Sequence, residues 1–262
     1  AEQNHSAPNE TIIGYIYPVR NDVGPLTGTN WCQNLPYASL CPNYKAGCTA
    51  IAAGQLMYYY KYPSIMTWAG VPFTWDDITQ AYVYYPPTKH PELLRMIGQK
   101  FQMVYGTDSS WATDANVLNG LDSLGYIATI EYFTTANPFT PTTAKNELLQ
   151  YHRPVMMQGF SDDNSEDTGH TWLCEGAQEV FPNRLLYYTE NQPYGTGNFT
   201  QGLYSHNTPG DTGNNNFFIN FYMNWGYGDT GAGYNGWYIS NNVNSNYGDY
   251  KYDRSNIYIH LQ

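Results

Sequence analysis

Residues Asn43–Pro63 have the sequence NYKAGCTAIAAGQLMYYYKYP. From Cys48 onward it is apolar on nearly every face, which predicts a central buried helix over 48–62. Pro63 cannot continue that helix. Gly47 comes directly before it, where a residue without a Cβ lets the backbone turn sharply and lets a ligand approach closely. A cysteine at the start of a buried helix is usually a small core residue, so a larger role for Cys48 needs partners elsewhere in the chain.

The two halves of the chain have different patterns. Helices are predicted in the first half at Pro91–Tyr105, at Asp114–Leu124 and after Thr140-Pro141. Beyond Arg153 the sequence reads as strands separated by clusters of Gly, Asn and Asp. Those strands are predicted at 154–160, 170–178, 185–191, 217–225, 236–240 and 256–262, with one more at 11–17. Helices followed by antiparallel strands indicate an α+β fold with two lobes.

We expect a single domain over 1–262, with an N-terminal arm at 1–23, a mainly helical lobe at 24–152 and a mainly β lobe at 153–262. The net charge of −11 argues against binding nucleic acid, and no apolar run reaches the roughly 18 residues of a membrane-spanning segment. Few charges and 27 Tyr are typical of a protein that is secreted, or held at the cell surface or in the periplasm. No zinc-binding spacing is present, so neither a metal nor a cofactor is predicted.

Nucleophilic chemistry at Cys48 requires a thiolate, and a free cysteine has a pKa of about 8.5. A helix N-terminus and a neighbouring imidazolium both lower that value. Of the six histidines, His170 is the best candidate for the base, because it begins the apolar strand HTWLCEGAQ directly after Gly169. A histidine at the mouth of a strand can face a cleft while the strand fixes its position.

Two further roles complete such a site. Asn224, at the end of the strand FFINFYMNWG, is a candidate to orient the His170 ring through its side-chain carbonyl, with Trp225 covering that bond. Gln33 lies 15 residues before Cys48 (48 − 33) and is a candidate second donor of an oxyanion hole, beside the Cys48 N–H. The order Gln, Cys, His, Asn is that of papain-like peptidases, although the local papain signature around the cysteine is absent.

These residues lie in motifs that resemble the streptopain family of secreted bacterial papain-like cysteine endopeptidases. The motifs are WCQNLPYASLCP at 31–42, AGCTAIAAGQLMYYYKYP at 46–63, RPVMMQGF at 153–160, GHTWLCEGA at 169–177, NWGYG at 224–228 and NGWY at 235–238. The resemblance implies that Cys48 is the nucleophile, His170 its base and later acid, Gln33 the oxyanion donor, Asn224 the orienter and Trp225 the shield. Tyr227 departs from the family, where a second Trp is usual.

The resemblance further implies protein or peptide substrates and an N-terminal prodomain that blocks the cleft before maturation, with this chain the mature form. Gly47 and Gly169 are expected next to the substrate, and Tyr105 and Met157 are expected as walls of the cleft. Two alternatives stay open: another acyl transfer on the same triad, such as amide hydrolysis or transglutamination, or a non-catalytic binding or adhesion module.

The sequence leaves two smaller questions open. Cys32 and Cys41 are close enough in sequence to form a disulfide, whereas Cys174 is expected to be an inert strand residue. The acidic residues Asp162, Asp163, Glu166 and Asp167 read as a solvated loop. They fail the EF-hand pattern, which needs Gly at the sixth position, but a calcium site in that loop stays an alternative.

Overall fold

A computed structural model gives the fold, and it describes residues 10–16, 19–84, 88–162, 169–180, 184–189, 203–207, 218–228, 235–245 and 247–262. Within these residues the α-helices are α1 (Cys48–Tyr60), α2 (His90–Lys100), α3 (Asp114–Ser123) and α4 (Thr142–Leu149). Short 3-10 helices occur at Pro42–Tyr44 and Trp75–Asp77. The α+β class agrees with the sequence-based prediction.

The strands of the described residues, in chain order, form one large sheet and several small ones. They are β1 (Glu10–Ile16), β2 (Val19–Val23), β3 (Ile65–Trp68), β4 (Val71–Thr74), β5 (Val104–Tyr105), β6 (Ser110–Trp111), β7 (Tyr126–Tyr132), β8 (Val155–Phe160), β9 (Gly169–Val180), β10 (Arg184–Thr189), β11 (Leu203–Asn207), β12 (Phe218–Asn224), β13 (Gly236–Ile239), β14 (Asn244–Ser245), β15 (Gly248–Asp249) and β16 (Tyr252–Leu261). The large antiparallel sheet has the order β13-β12-β9-β8-β16-β7, with β2 also pairing with β9.

Helix α1 is the centre of the molecule. All nine residues from Thr49 to Met57 are buried, as expected for a helix that is apolar all round. Its small residues allow close packing: a Cβ on Gly54 would lie 3.2 Å from Leu94 of α2. On its other side α1 packs against β9, where the Thr49 and Thr171 hydroxyl oxygens are 3.1 Å apart. The helix that begins with Cys48 is therefore held between α2 and the sheet.

The large sheet is covered on both faces. Met156 and Leu173 face the cluster of apolar residues that includes α1 and α2. Their neighbours Val155, Trp172 and Cys174 face a second cluster on the opposite side of the sheet. This alternation follows from the two-residue period of a strand, and it fixes which side chains of β8 and β9 reach each core.

Several predicted boundaries differ from the structure. Helix α2 ends at Lys100 and not at Tyr105, because Gln102 has a positive φ of 48° and the Met103 N–H donates to Gly98 O at 2.9 Å, which closes the helix in a Schellman-type turn. Helix α4 begins at Thr142, with Pro141 as its N-cap.

Strand β7 lies in the half of the chain predicted to be mainly helical, yet it pairs with β16 at the edge of the large sheet. In the same half, α4 packs through Ala144 and Leu148 into the second cluster. Both elements therefore join the β layer, although they precede residue 153.

Candidate active site

Gly47 and Cys48 form a turn that only glycine accommodates. Gly47 has φ 86° and ψ 143° and is the N-cap of α1. A Cβ at this position would lie 2.7 Å from the Ser110 carbonyl oxygen, so both the backbone conformation and the surroundings require glycine. Gly47 has no side chain with which to cap this end of the helix, and the first N–H groups of a helix have no acceptor within it. Cys48 thus begins α1 beside uncapped N–H donors.

The structure brings Cys48 and His170 into contact. Burial raises the pKa of the Cys48 thiol, but a hydrogen bond with His170 and the charge of that ring outweigh it, aided by hydrogen bonds from the backbone and side chain of Thr171. The net effect lowers the pKa of Cys48 to about 7. Cys48 as a residue is half-buried, at the start of α1.

Aromatic rings hold the His170 imidazole in place. Its centroid lies 4.9 Å from that of Tyr227 and 5.0 Å from that of Tyr250, with interplanar angles of 23° and 28°. Trp172 and Trp225 also stack near it, each at 6.2 Å. Only 6% of His170 is exposed. The ring therefore has little freedom to turn away from Cys48.

The partner of the distal ring nitrogen is a backbone carbonyl. His170 Nε2 lies 2.9 Å from the carbonyl oxygen of Trp225. Because a carbonyl oxygen can only accept, Nε2 must carry the proton, and Nδ1 is left as the nitrogen that faces Cys48. The ring is thus held in the tautomer that can take a proton from the thiol.

The predicted hydrogen bond between His170 and the Asn224 side chain is not made in the described residues. The Asn224 amide nitrogen donates to Thr29 O at 2.8 Å and to Glu175 Oε1 at 2.9 Å. Its oxygen accepts from the N–H of Gly226 at 3.3 Å and from the Asn235 amide at 3.4 Å. The amide has two donors and two acceptor sites, so its capacity is fully used. The acceptor that contacts the His170 ring is instead the Trp225 backbone carbonyl, and the Trp225 side chain is fully buried beside His170.

The backbone at Gln33 is anchored on one side near Cys48 and on the other near Tyr227, which stacks on His170. Its carbonyl oxygen accepts from Ala46 N at 2.9 Å, two residues before the cysteine, and the preceding Cys32 forms a β-bridge with Tyr227. The Gln33 side chain is half-buried and makes no hydrogen bond within the described residues. Its amide is therefore available to a ligand.

The residues expected to contact substrate differ in their burial and in the direction of their side chains. The prediction for Met157 is wrong: its side chain is fully buried, because the alternation of β8 points it into the second cluster opposite Trp172. Tyr105 is half-buried and turns toward α2, where its hydroxyl packs against Gly98 and the Arg95 guanidinium lies 5.1 Å from the centre of its ring. Gly169 is exposed at the start of β9, directly before His170.

Glu175 was not predicted as part of the site. It is 1% exposed, accepts from Asn224 and from Thr27 N at 2.6 Å, and burial raises its pKa despite these bonds. The sequence does place this acidic residue within the apolar strand HTWLCEGAQ. Because a charge is rarely buried without partners, its position could have indicated a buried polar network.

None of the four cysteines, all of which lie in the described residues, forms a disulfide, so Cys32 and Cys41 are not bridged. Cys174 is fully buried and burial raises its pKa, as expected of an inert thiol. Among the described residues no three of His, Cys, Asp and Glu cluster as metal ligands, whereas Asp163, Glu166 and Asp167 lie outside those residues. The described helices include none with the length and apolar character to cross a membrane.

Comparisons with known proteins agree with this architecture. No family model and no curated protein matches the sequence. Among solved structures, the active wild-type cysteine protease interpain A of Prevotella intermedia matches with a TM-score of 0.60 at 18% identity, over 92% of this chain and 98% of that one. A prointerpain A fragment from the same organism matches with a TM-score of 0.54 at 19% identity, over 93% and 75%. At this identity the likeness establishes that the chain has the papain-like α+β fold of interpain A.

Proposed function

We propose that the chain is a cysteine endopeptidase in which Cys48 is the nucleophile and His170 the general base and acid. One observation carries this proposal. The Cys48 thiol, at the uncapped start of α1, contacts an imidazole whose other nitrogen is anchored 2.9 Å from the Trp225 carbonyl. Nucleophile, base and orienting acceptor are thereby arranged as covalent acyl transfer requires.

The reaction follows from this geometry. Cys48 Sγ transfers its proton to His170 Nδ1 and attacks the scissile carbonyl carbon. The N–H groups at the start of α1 and the Gln33 amide stabilise the negative oxygen that forms. His170 then protonates the leaving amine as the C–N bond breaks, which leaves a thioester on Cys48. Water, deprotonated by His170, adds to the thioester; the acid is released and the thiol is restored.

The finer assignments belong to the same proposal. The motifs quoted above support a streptopain-like peptidase that is secreted or held at the cell surface or in the periplasm. The likeness to a prointerpain A fragment supports regulation by an N-terminal prodomain. Amidase or transglutaminase chemistry would use the same residues, so a panel of proteins, small amides and acceptor amines separates these activities.

The test compares the parent protein with Cys48→Ala and, as a matched control, Cys174→Ala. Each is given casein and an epoxysuccinyl thiol inhibitor. We expect the parent and the Cys174 variant to cleave casein and to bind one inhibitor covalently, and the Cys48 variant to do neither. Equal activity in the parent and the Cys48 variant would contradict the proposal.

A further inference from the structure

A buried carboxylate lies on the same strand as the candidate base. Glu175 is five positions after His170 in β9 and 1% exposed. Two hydrogen-bond donors satisfy it: Thr27 N at 2.6 Å and the Asn224 amide at 2.9 Å. A buried carboxylate is tolerated when such donors satisfy it, and it then fixes the groups that donate.

Asn224 passes that constraint to the peptide between Trp225 and Gly226. Its side-chain oxygen accepts from Gly226 N at 3.3 Å. This N–H and the Trp225 carbonyl belong to one peptide unit, which is planar, so holding the N–H sets the direction of the carbonyl. That carbonyl is the acceptor for His170 Nε2. The backbone conformation of Gly226 is restricted as well: its φ is 72°, and a Cβ there would lie 2.9 Å from Ile51.

The same network reaches the helix of the nucleophile. The Thr27 and Thr29 hydroxyls are 2.7 Å apart, and the Thr29 hydroxyl donates to Gln55 Oε1 of α1 at 2.8 Å. All four of the side chains of Thr27, Thr29, Gln55 and Glu175 are buried. The carboxylate is therefore connected through hydrogen bonds both to α1, which begins with Cys48, and to the acceptor of His170.

We propose that Glu175 is a positioning residue of the active site: its carboxylate fixes the Asn224 amide, which aims the Trp225 carbonyl at His170. This role rests on the proposed peptidase function. It gives Asn224 a different task from the one expected from sequence, since Asn224 acts on the histidine through a peptide plane and not through its own oxygen.

The variant that tests this role is Glu175→Gln, which preserves the shape of the side chain. Its NH2 group replaces an oxygen that accepts a hydrogen bond, so it opposes either Thr27 N–H or the Asn224 amide. We expect kcat to fall about 10- to 100-fold while KM stays nearly unchanged, because a small misplacement of the base affects the reaction and not substrate binding. Alkylation of Cys48 at neutral pH should slow in parallel.

The matched control is Glu179→Gln, on the same strand. Glu179 is also buried, and its carboxylate accepts from Asn21 at 2.5 Å and from Lys145 at 3.1 Å, away from His170. We expect this variant to unfold at a lower temperature with an unchanged kcat. If Glu175 were only structural, Glu175→Gln would behave like Glu179→Gln: it would unfold at a lower temperature and keep its kcat.

A double-mutant cycle identifies the route of the effect. If Glu175 acts through Asn224, then Glu175→Gln should cause little further loss of kcat in the Asn224→Ala background, so the two effects are not additive. Additive losses would overturn the route. Should Glu175→Gln not fold, Glu175→Asp is measured in its place: its shorter side chain cannot reach both Thr27 and Asn224, and the same fall in kcat is expected.

The outcomes separate this role from the proposed function. An inactive parent that fails to bind the thiol inhibitor contradicts the peptidase function itself. An active parent with a folded position-175 variant of unchanged kcat contradicts the positioning role alone.

Discussion

The imidazole of His170 is fixed by the backbone of Trp225, whose carbonyl oxygen lies 2.9 Å from Nε2. This contact decides the tautomer of the ring, because the carbonyl can accept only an N–H. It leaves Nδ1 for Cys48, whose pKa is lowered to about 7 by its hydrogen bond with the ring, against the opposing effect of burial. The activity that we propose depends on this one backbone acceptor and on the groups that aim it.

Gln33→Ala tests the oxyanion hole. Loss of one donor that acts only on the developing charge should lower kcat about 10²- to 10³-fold and change KM little. Asn34→Ala is the control, since its side chain is exposed and its oxygen already accepts from Lys45 at 2.8 Å. Steady-state kinetics on a peptide substrate measure both, and a Gln33 variant with the kcat of the Asn34 variant would remove Gln33 from the mechanism.

Gly47→Ala tests the turn before the nucleophile. We expect a loss of stability of about 2 kcal/mol or more and a large loss of activity, because the new Cβ meets both a positive φ and the Ser110 carbonyl at 2.7 Å. Gly70→Ala is a sharp control: Gly70 also has a positive φ, of 78°, but open space around it. It should cost about 1 kcal/mol, with full activity. Denaturant unfolding gives both values; equal losses would show that the contact with Ser110 is unimportant.

Met157→Ala tests whether the Met157 side chain serves the hydrophobic core or the substrate-binding cleft. Truncating a fully buried methionine should destabilise the protein by about 2–5 kcal/mol. KM for peptides of different sequence should be unchanged, since the side chain lies in the second cluster behind the sheet. A changed preference among substrates, with stability preserved, would return Met157 to the substrate site.

The sequence was sufficient for the helix that begins at Cys48 and for most strands, because an all-apolar helix and the clusters between strands leave strong patterns. It was insufficient for Met157: apolar residues on both sides of a doubly covered strand do not reveal which core each faces. The half-exposed edge strand β7 lacks a clear alternation, so it was missed.

The sequence could not reveal that a backbone carbonyl accepts from His170. Every residue has the same backbone carbonyl, and residues differ only in their side chains. The side chain of Asn224 was the visible candidate, yet Glu175 and Thr29 already occupy its donors. A buried glutamate in an apolar strand was the sign that a polar network required that asparagine.

His170 is proposed to activate Cys48 by lowering the pKa of its thiol. A lowered pKa means that the thiolate is present above about pH 7 and is lost as the pH falls through that value. In His170→Ala the hydrogen bond and the charge of the ring are gone, while burial and the Thr171 hydrogen bonds remain, so the pKa of Cys48 should rise from its value of about 7. His152→Asn is the control, because His152 is exposed and its positive φ of 53° suits asparagine.

The most direct measurement is the rate of Cys48 alkylation by iodoacetamide as a function of pH, followed by mass spectrometry of the modified residue. We expect a rise in rate centred near pH 7 in the parent and in His152→Asn, and a rise displaced to higher pH in His170→Ala. A parent profile that rises only near the free-thiol value of about 8.5, unchanged by removal of His170, would contradict this expectation.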